Sequence, residues 1–334
     1  MGMMLPLLFG LVVAFCVAMY VIADGFDLGI GILFLLSPSE ADRDLMMNSV
    51  APIWDGNETW LVFGGTLLIG AFPFAYGTIL PALYLPLVLM LFGLIFRGVA
   101  FEYRFRATHA RRAWDWAFCG GSVLATFMQG VALGAYIDGI PVQNRDLVGG
   151  FSPWGGFSTA TGLGLLAGYT LLGATWLVFK TTGTTQTFGR GAARPSLLLS
   201  LFFLLVISIW TPLTHPAVAE RWFSAPRIFY LWLPPAATLL VAFGIWRKLK
   251  QGRELAPFLL SIALFLLALL GLGISLWPYA IPYSVTLRQA AASTATLEFL
   301  GVGVAVILPI TLLYLGYAYW VFRGKASSAA GYGH

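Results

Sequence analysis

Five acids and one arginine stand where charge is expensive. Asp24 and Asp27 lie in Asp24-Gly25-Phe26-Asp27-Leu28-Gly29-Ile30-Gly31, late in a long apolar run. Asp55 and Glu58 lie in Trp54-Asp55-Gly56-Asn57-Glu58-Thr59-Trp60, early in a second apolar run. Arg97 sits inside a third, and Asp115 opens a fourth between Trp114 and Trp116. Both acid pairs are three residues apart, so on a helix each pair shares a face. A carboxyl buried in lipid can hold or release a proton, and a guanidinium beside it decides which of several carboxyls stays ionised. Intramembrane charges therefore point to proton or ion routes. The same residues also fit a plainer arrangement. Asp55 and Arg97 would form a buried ion pair locking three helices together, with Asp24 and Asp27 solvated at the headgroup edge and Glu58 near a helix end. Spacing leaves both arrangements open.

The elements that must carry these groups follow from composition. Of the 334 residues, 59% are hydrophobic and 10% are charged, and the mean hydropathy is +0.84. Soluble domains carry about 25% charge, and no protein core absorbs the difference. Lipid does. A spanning helix needs roughly 20 apolar residues, and nine such stretches are expected: 5–36, 50–71, 78–103, 112–137, 158–180, 196–213, 227–246, 256–276 and 297–322. The fold class is thus an all-α integral membrane protein. The 38 glycines and 18 prolines suit that setting, where both residues are better tolerated than in soluble helices. No basic leader precedes the first apolar run, so the first helix is expected to stay as a span.

Orientation comes from lysine and arginine. One side holds Arg43, Arg104, Arg106, Arg111, Arg112, Lys180, Arg190, Arg194, Arg247, Lys248, Lys250, Arg253, Arg323 and Lys325; the other holds Arg145, Arg221, Arg227 and Arg288. This predicts an outer N-terminus and a cytoplasmic C-terminus. It also places the five acids and Arg97 in the cytoplasmic third of the bilayer. The net charge of +5 is then a topology signal, and nucleic-acid binding is excluded as its explanation.

The remaining donors are poor candidates for chemistry. Cys16 and Cys119 lie in apolar stretches without a CxxC, so neither a disulfide framework nor a metal site is expected. His109 is in a basic loop, His215 at the end of the sixth span and His334 at the C-terminus; none faces a second ligand in mid-span, as bundle haem would require. Met90 and Met128 read as packing residues, Glu102 as a helix-end charge, and Glu298 as a dipole-compensating residue opening the ninth helix.

Several motifs together resemble the subunit II family of cytochrome bd-type quinol oxidases, in its compact, cyanide-insensitive branch. They are DGFDLGIG (24–31), NSVAPIWDGNETWLV (48–62), FRGVAFEYRFR (96–106) and WDW (114–116), with WPYAIPYS (277–284) and ILPITLLYLGYAYWVFRGK (307–325) near the end. Between about 140 and 270 only the hydropathy is similar. The resemblance implies two four-helix bundles plus one peripheral helix. The first bundle would take 1–138 with the charged motifs and the second 139–276. The outer loop and ninth helix would take 277–325, with a disordered tail at 326–334.

The resemblance also implies a heterodimer in the bacterial inner membrane. Subunit I would carry haems b and d and the quinol site, with dioxygen reduced to water and protons drawn from the cytoplasm. This chain alone would bind no haem or metal, with room for a bound quinone and for small single-helix subunits. By motif position Asp24, Asp27 and Asp55 are similar to the family's proton-route acids, and Trp60 to a tryptophan near its oxygen route. Arg97, Asp115 and Glu58 would be electrostatic or structural; Glu58 departs from members with Gln there. The rival reading is a secondary transporter. Its charges should lie near the midplane on broken helices, whereas here they gather toward one face of the first four spans. A purely structural partner subunit is a third reading.

Overall fold

The computed structural model describes residues 4–107, 109–143, 146–147 and 149–326. Arg145, His334 and the expected tail from 327 lie outside the described residues. In chain order the helices begin with α1 (Leu5–Leu33), α2 (Glu40–Asn48), α3 (Trp54–Ala71), α4 (Pro73–Ala82), α5 (Tyr84–Tyr103) and α6 (Arg111–Asp138). A two-stranded ribbon follows, β1 (Val142–Gln143) with β2 (Asp146–Leu147). Then come α7 (Gly156–Lys180), α8 (Gly183–Thr214), α9 (Pro216–Phe223), α10 (Ile228–Leu231), α11 (Leu233–Lys250) and α12 (Leu255–Leu276). A second ribbon, β3 (Tyr279–Ile281) with β4 (Val285–Thr286), leads through α13 (Leu287–Ala290) to α14 (Thr294–Val321).

Among the described residues, eight helices are long and apolar enough to cross a membrane: α1, α5, α6, α7, α8, the α10–α11 segment, α12 and α14. The protein is an all-α, multi-pass membrane protein. The remaining expected span is α3, 18 residues long, whose opening turns carry Asp55, Asn57 and Glu58 and so lower its hydropathy. Those turns face α1 rather than lipid alone.

Three boundaries differ from the sequence expectation, each for a local reason. The third span, expected from 78, begins only at Tyr84, because α4 takes the expected connection and the first five residues of that stretch. Leu83 separates α4 from α5, and Pro86 near the start of α5 sits where a missing N–H is tolerated. The helix expected at 196–213 begins at Gly183, because α8 continues beyond its apolar section to meet α2. The stretch after the first span, read as a plain connection, contains α2. Ser39 caps it by accepting a hydrogen bond from the Asp42 amide at 3.1 Å. Glu298 does not open α14 either. Ser293 caps that helix, accepting from the Thr296 amide.

Helices α1, α3, α5 and α6 pack as one group, and α7, α8, α11 and α12 as another, joined where α7 meets α1 and α6. Glycine makes these seams close. A Cβ on Gly29 would land on the Tyr169 carbonyl of α7, and one on Gly93 would sit 2.6 Å from the Gly121 carbonyl oxygen of α6. The largest core cluster runs across both groups, from Phe26 stacked on Trp176 at 4.1 Å to Phe101 against Phe118 at 5.0 Å.

Helix α14 is mostly exposed and rests on α3 and α1. Its far end is tied down reciprocally. Lys180 at the end of α7 donates to the Phe322 and Gly324 carbonyls. Lys325 donates to the Phe179 and Thr181 carbonyls and pairs with Glu254 at 2.8 Å. Each lysine thus caps the carbonyl end of the other's helix.

Candidate functional site

The buried charges form two clusters, both on the side of the bundle where α1 ends and α6 begins. In the first, Arg97 of α5 is wholly enclosed and its two terminal nitrogens are divided. Nη1 donates to Asp24 of α1 and Nη2 to Glu58 of α3. Asp24 has no solvent exposure, while the Glu58 side chain is 27% exposed. Trp54 flanks the guanidinium, 6.0 Å from its ring centre, and is itself stacked on Phe101 at 4.8 Å. Asp27, three residues after Asp24 and on the same face, is equally buried. Asn57 donates to its Oδ2 at 2.7 Å and also to the Ala23 carbonyl. Tyr319 of α14 closes the chain, donating to Asn57 Oδ1 at 2.7 Å. Four helices thereby contribute to one centre. Asp24 Oδ2 and Asp27 Oδ1 are enclosed and meet no hydrogen-bond donor among the described residues.

One turn back along α1, Tyr20 extends the polar ground. Gln129 of α6 donates to the Tyr20 hydroxyl at 2.6 Å and accepts from the Tyr169 hydroxyl at 3.1 Å.

The second cluster holds Asp115. Arg104, seven residues after Arg97 and just past the end of α5, is enclosed and meets Asp115 at 2.5 Å and Asp44 of α2 at 2.6 Å. Arg43 reaches the other Asp115 oxygen at 3.2 Å, and Arg111 reaches Asp44 and Glu40. The other edge of α2 is fixed to α8. Thr184 and Thr185 donate to Asp42 Oδ1 at 2.5 and 2.6 Å, and Ser39 donates to Oδ2. Burial pushes the Asp42 carboxyl up, but those three hydroxyls outweigh it and hold the group below its ordinary range. Helix α2 is therefore a bracket between the two helix groups.

Three expectations are corrected. Asp55 does not pair with Arg97. It is exposed at the start of α3 with no ion-pair partner among the described residues, and Asp24 and Glu58 take the guanidinium instead. The expectation that Asp24 or Asp27 stands nearer than Asp55 to the α2 side, the expected cytoplasmic side, is also reversed. Helices α1 and α3 are antiparallel and Asn57 meets Asp27, so Asp55 lies toward the end of α1 that leads to α2. Nor do Asp24 and Asp27 lie solvated at a headgroup edge, since both are enclosed.

Trp60 is enclosed. Its ring meets Phe15 edge-on at 5.6 Å, and its Nε1 meets no hydrogen-bond partner among the described residues. Glu102 makes only an exposed pair with Arg106 at 3.7 Å. His215 pairs with Asp138 at 3.2 Å and stacks on Tyr283 at a helix end. Met90 and Met128 pack in the main core cluster.

Sequence reasoning missed Asn57, Tyr319 and the Arg104–Asp44 pair. The seven-residue spacing of Arg97 and Arg104 was a usable signal. Tyr319 gave none, because a tyrosine near a helix end reads as an interfacial aromatic.

These features define a polytopic α-helical membrane protein built around a buried carboxylate–arginine centre. The sequence profile of the family described as cytochrome bd terminal oxidase subunit II matches residues 5–322, and the chain belongs to that family. It is 28% identical over 346 residues to the cytochrome bd-I ubiquinol oxidase subunit 2 of Escherichia coli (strain K12), covering 92% of this chain and 91% of that protein. It is 27% identical over 329 residues to the cytochrome bd ubiquinol oxidase subunit 2 of Bacillus subtilis (strain 168), covering 91% of each. Among solved structures, a chain of the bd oxidase from Geobacillus thermodenitrificans shares the fold. The TM-score is 0.76 with 19% identity, over 96% of this chain and 99% of that one.

Proposed function

We propose that this chain is the haem-free subunit of an inner-membrane quinol oxidase that reduces dioxygen to water, and that it supplies protons from the cytoplasm. The partner would be a subunit I carrying haems b and d and the quinol site; those haems supply the electron transfer and oxygen chemistry. The single observation behind the proton role is the enclosed centre itself. Arg97 is divided between Asp24 and Glu58, and Asp27, enclosed beside Asp24, is held by Asn57.

Asp55 is the entry group, exposed at the start of α3. Asp27 Oδ1 and Asp24 Oδ2 are the next resting places for a proton. Arg97 keeps the centre from accumulating negative charge, Glu58 shares that load, and Asp115 anchors α2 through Arg104. Trp60, enclosed and apolar in its surroundings, belongs to an oxygen route. The residues 1–138 and 139–276 act as separate bundles, with 277–325 strapping them. The fourteen-to-four distribution of basic residues supports an outer N-terminus. A bound quinone and small single-helix partners are compatible with the exposed apolar faces.

Asp27→Asn tests the reading. The complex should assemble with normal haem absorbance while quinol-driven oxygen uptake falls roughly tenfold or more, the scale of an acid–base group. Full turnover would remove Asp27 from the route, and stoichiometric haem in the chain purified without its partner would overturn the haem-free assignment.

A further inference from the structure

The two basic ends on the α2 side of the molecule are treated differently. At the α5–α6 turn, Arg104 and Arg111, with Arg43 of α2, are matched by Glu40, Asp44 or Asp115, and Arg106 by Glu102; Arg112 alone there meets no carboxylate among the described residues. At the α11–α12 turn the cations are not matched. Arg194 of α8, Arg247, Lys248 and Lys250 of α11, and Arg253 beyond it meet no carboxylate among the described residues. The neighbouring acid, Glu254, is taken by Lys325 at 2.8 Å and by Gln186 at 2.9 Å. Arg190 is spent on the backbone. It donates to the Gly252 carbonyl at 2.8 Å and the Arg253 carbonyl at 3.2 Å, which ties α8 to the turn and fixes where the free cations stand.

The exposed face of α11 continues this pattern into the apolar layer. Leu239, Leu240, Phe243, Trp246, Arg247 and Lys250 recur at helical spacing on one side, and the first four are 67, 72, 56 and 41% exposed. Leucines come first, then two aromatics, then the cations. Lys250 Nζ lies 3.8 Å from the centre of the Trp246 ring. Apolar stripe, aromatic level and unpaired cations succeed one another in the order found in a phospholipid's chains, glycerol region and headgroup.

We infer that this face holds one anionic phospholipid of the phosphatidylglycerol class. Its phosphodiester lies among Arg247, Lys250 and Arg253, and its acyl chains lie along Leu239, Leu240 and Phe243. An acidic protein segment would explain the cations but not the leucine stripe below them. A zwitterionic lipid would explain the stripe but not five cations without counterions. The inference does not depend on the proton-route reading.

The test uses the purified oxidase complex, titrated separately with phosphatidylglycerol, phosphatidylcholine and inorganic phosphate and read by native mass spectrometry. The intact complex should retain a phosphatidylglycerol molecule that phosphatidylcholine does not replace. Arg247→Gln/Lys250→Gln/Arg253→Gln should weaken that retention roughly tenfold or more, as expected for several headgroup-facing cations. Arg247→Lys/Arg253→Lys should keep it, and Arg288→Gln, in the α13 segment, should leave it unchanged. Equal retention of the two lipids, or unchanged retention in the triple variant, would overturn the proposal. Displacement of the lipid by millimolar phosphate would assign the cations to a small anion and overturn it as well.

Discussion

Asp24→Asn and Asp55→Asn should separate the structural from the protonic role of these acids. Asp24 and Arg97 both have fully enclosed side chains. Removing one partner of such a pair costs about 3–5 kcal/mol when the other charge is stranded. Here Glu58 remains on the second guanidinium nitrogen, and the asparagine keeps an oxygen for the first. The expected cost of Asp24→Asn is therefore at the lower end, about 3 kcal/mol. Arg97→Gln leaves two carboxylates without their cation and should cost about 5 kcal/mol. Combining the two changes should cost less than their sum, because they remove the same interaction. Asp55 is exposed and unpaired, so Asp55→Asn should change stability by no more than about 0.5 kcal/mol. Thermal unfolding of the purified complex, followed by haem absorbance, gives the ranking; oxygen uptake on the same samples gives turnover. Asp55→Asn should leave Tm unmoved and lower turnover roughly tenfold. If Asp55→Asn lowered Tm as far as Asp24→Asn, or if Asp24→Asn left it unchanged, the charge assignments drawn from this centre would be wrong.

Arg104→Gln should destabilise by about 3–5 kcal/mol, since an enclosed arginine holds Asp115 and Asp44 together; protease cutting near α2 should then appear before global unfolding. The Asp42 carboxyl is held below its ordinary range, so its stabilisation is present above the unfolded value of about 4 and is lost as pH falls through the lower folded value. Amide exchange in α2 should accelerate in that acid window, and Asp42→Asn should abolish the pH dependence while raising exchange at neutral pH. Reporter fusions after Arg112 and Arg253 should score as cytoplasmic and fusions near Arg145 and Arg288 as external; reversal at two of these sites would reject the orientation.

Hydropathy and charge placement in the sequence determined that this chain spans the membrane on many helices, because no soluble core accommodates so much apolar surface. They also picked out Asp24, Asp27, Glu58, Arg97 and Asp115, because charge in lipid is rare enough to be noticed in one dimension. Partner choice was settled only by the tertiary structure. Asp55 and Glu58 are one turn apart on the same helix, and spacing alone does not decide which of them meets Arg97. The rotation of α3 against α1 and α5 turns Glu58 inward and Asp55 outward. Tyr319 lies 262 residues from Asn57, and only the docking of α14 brings them together. Helix α2 was hidden for the opposite reason. It is short and polar, and its place comes from ion pairs and threonine hydroxyls on other helices, which no local periodicity records.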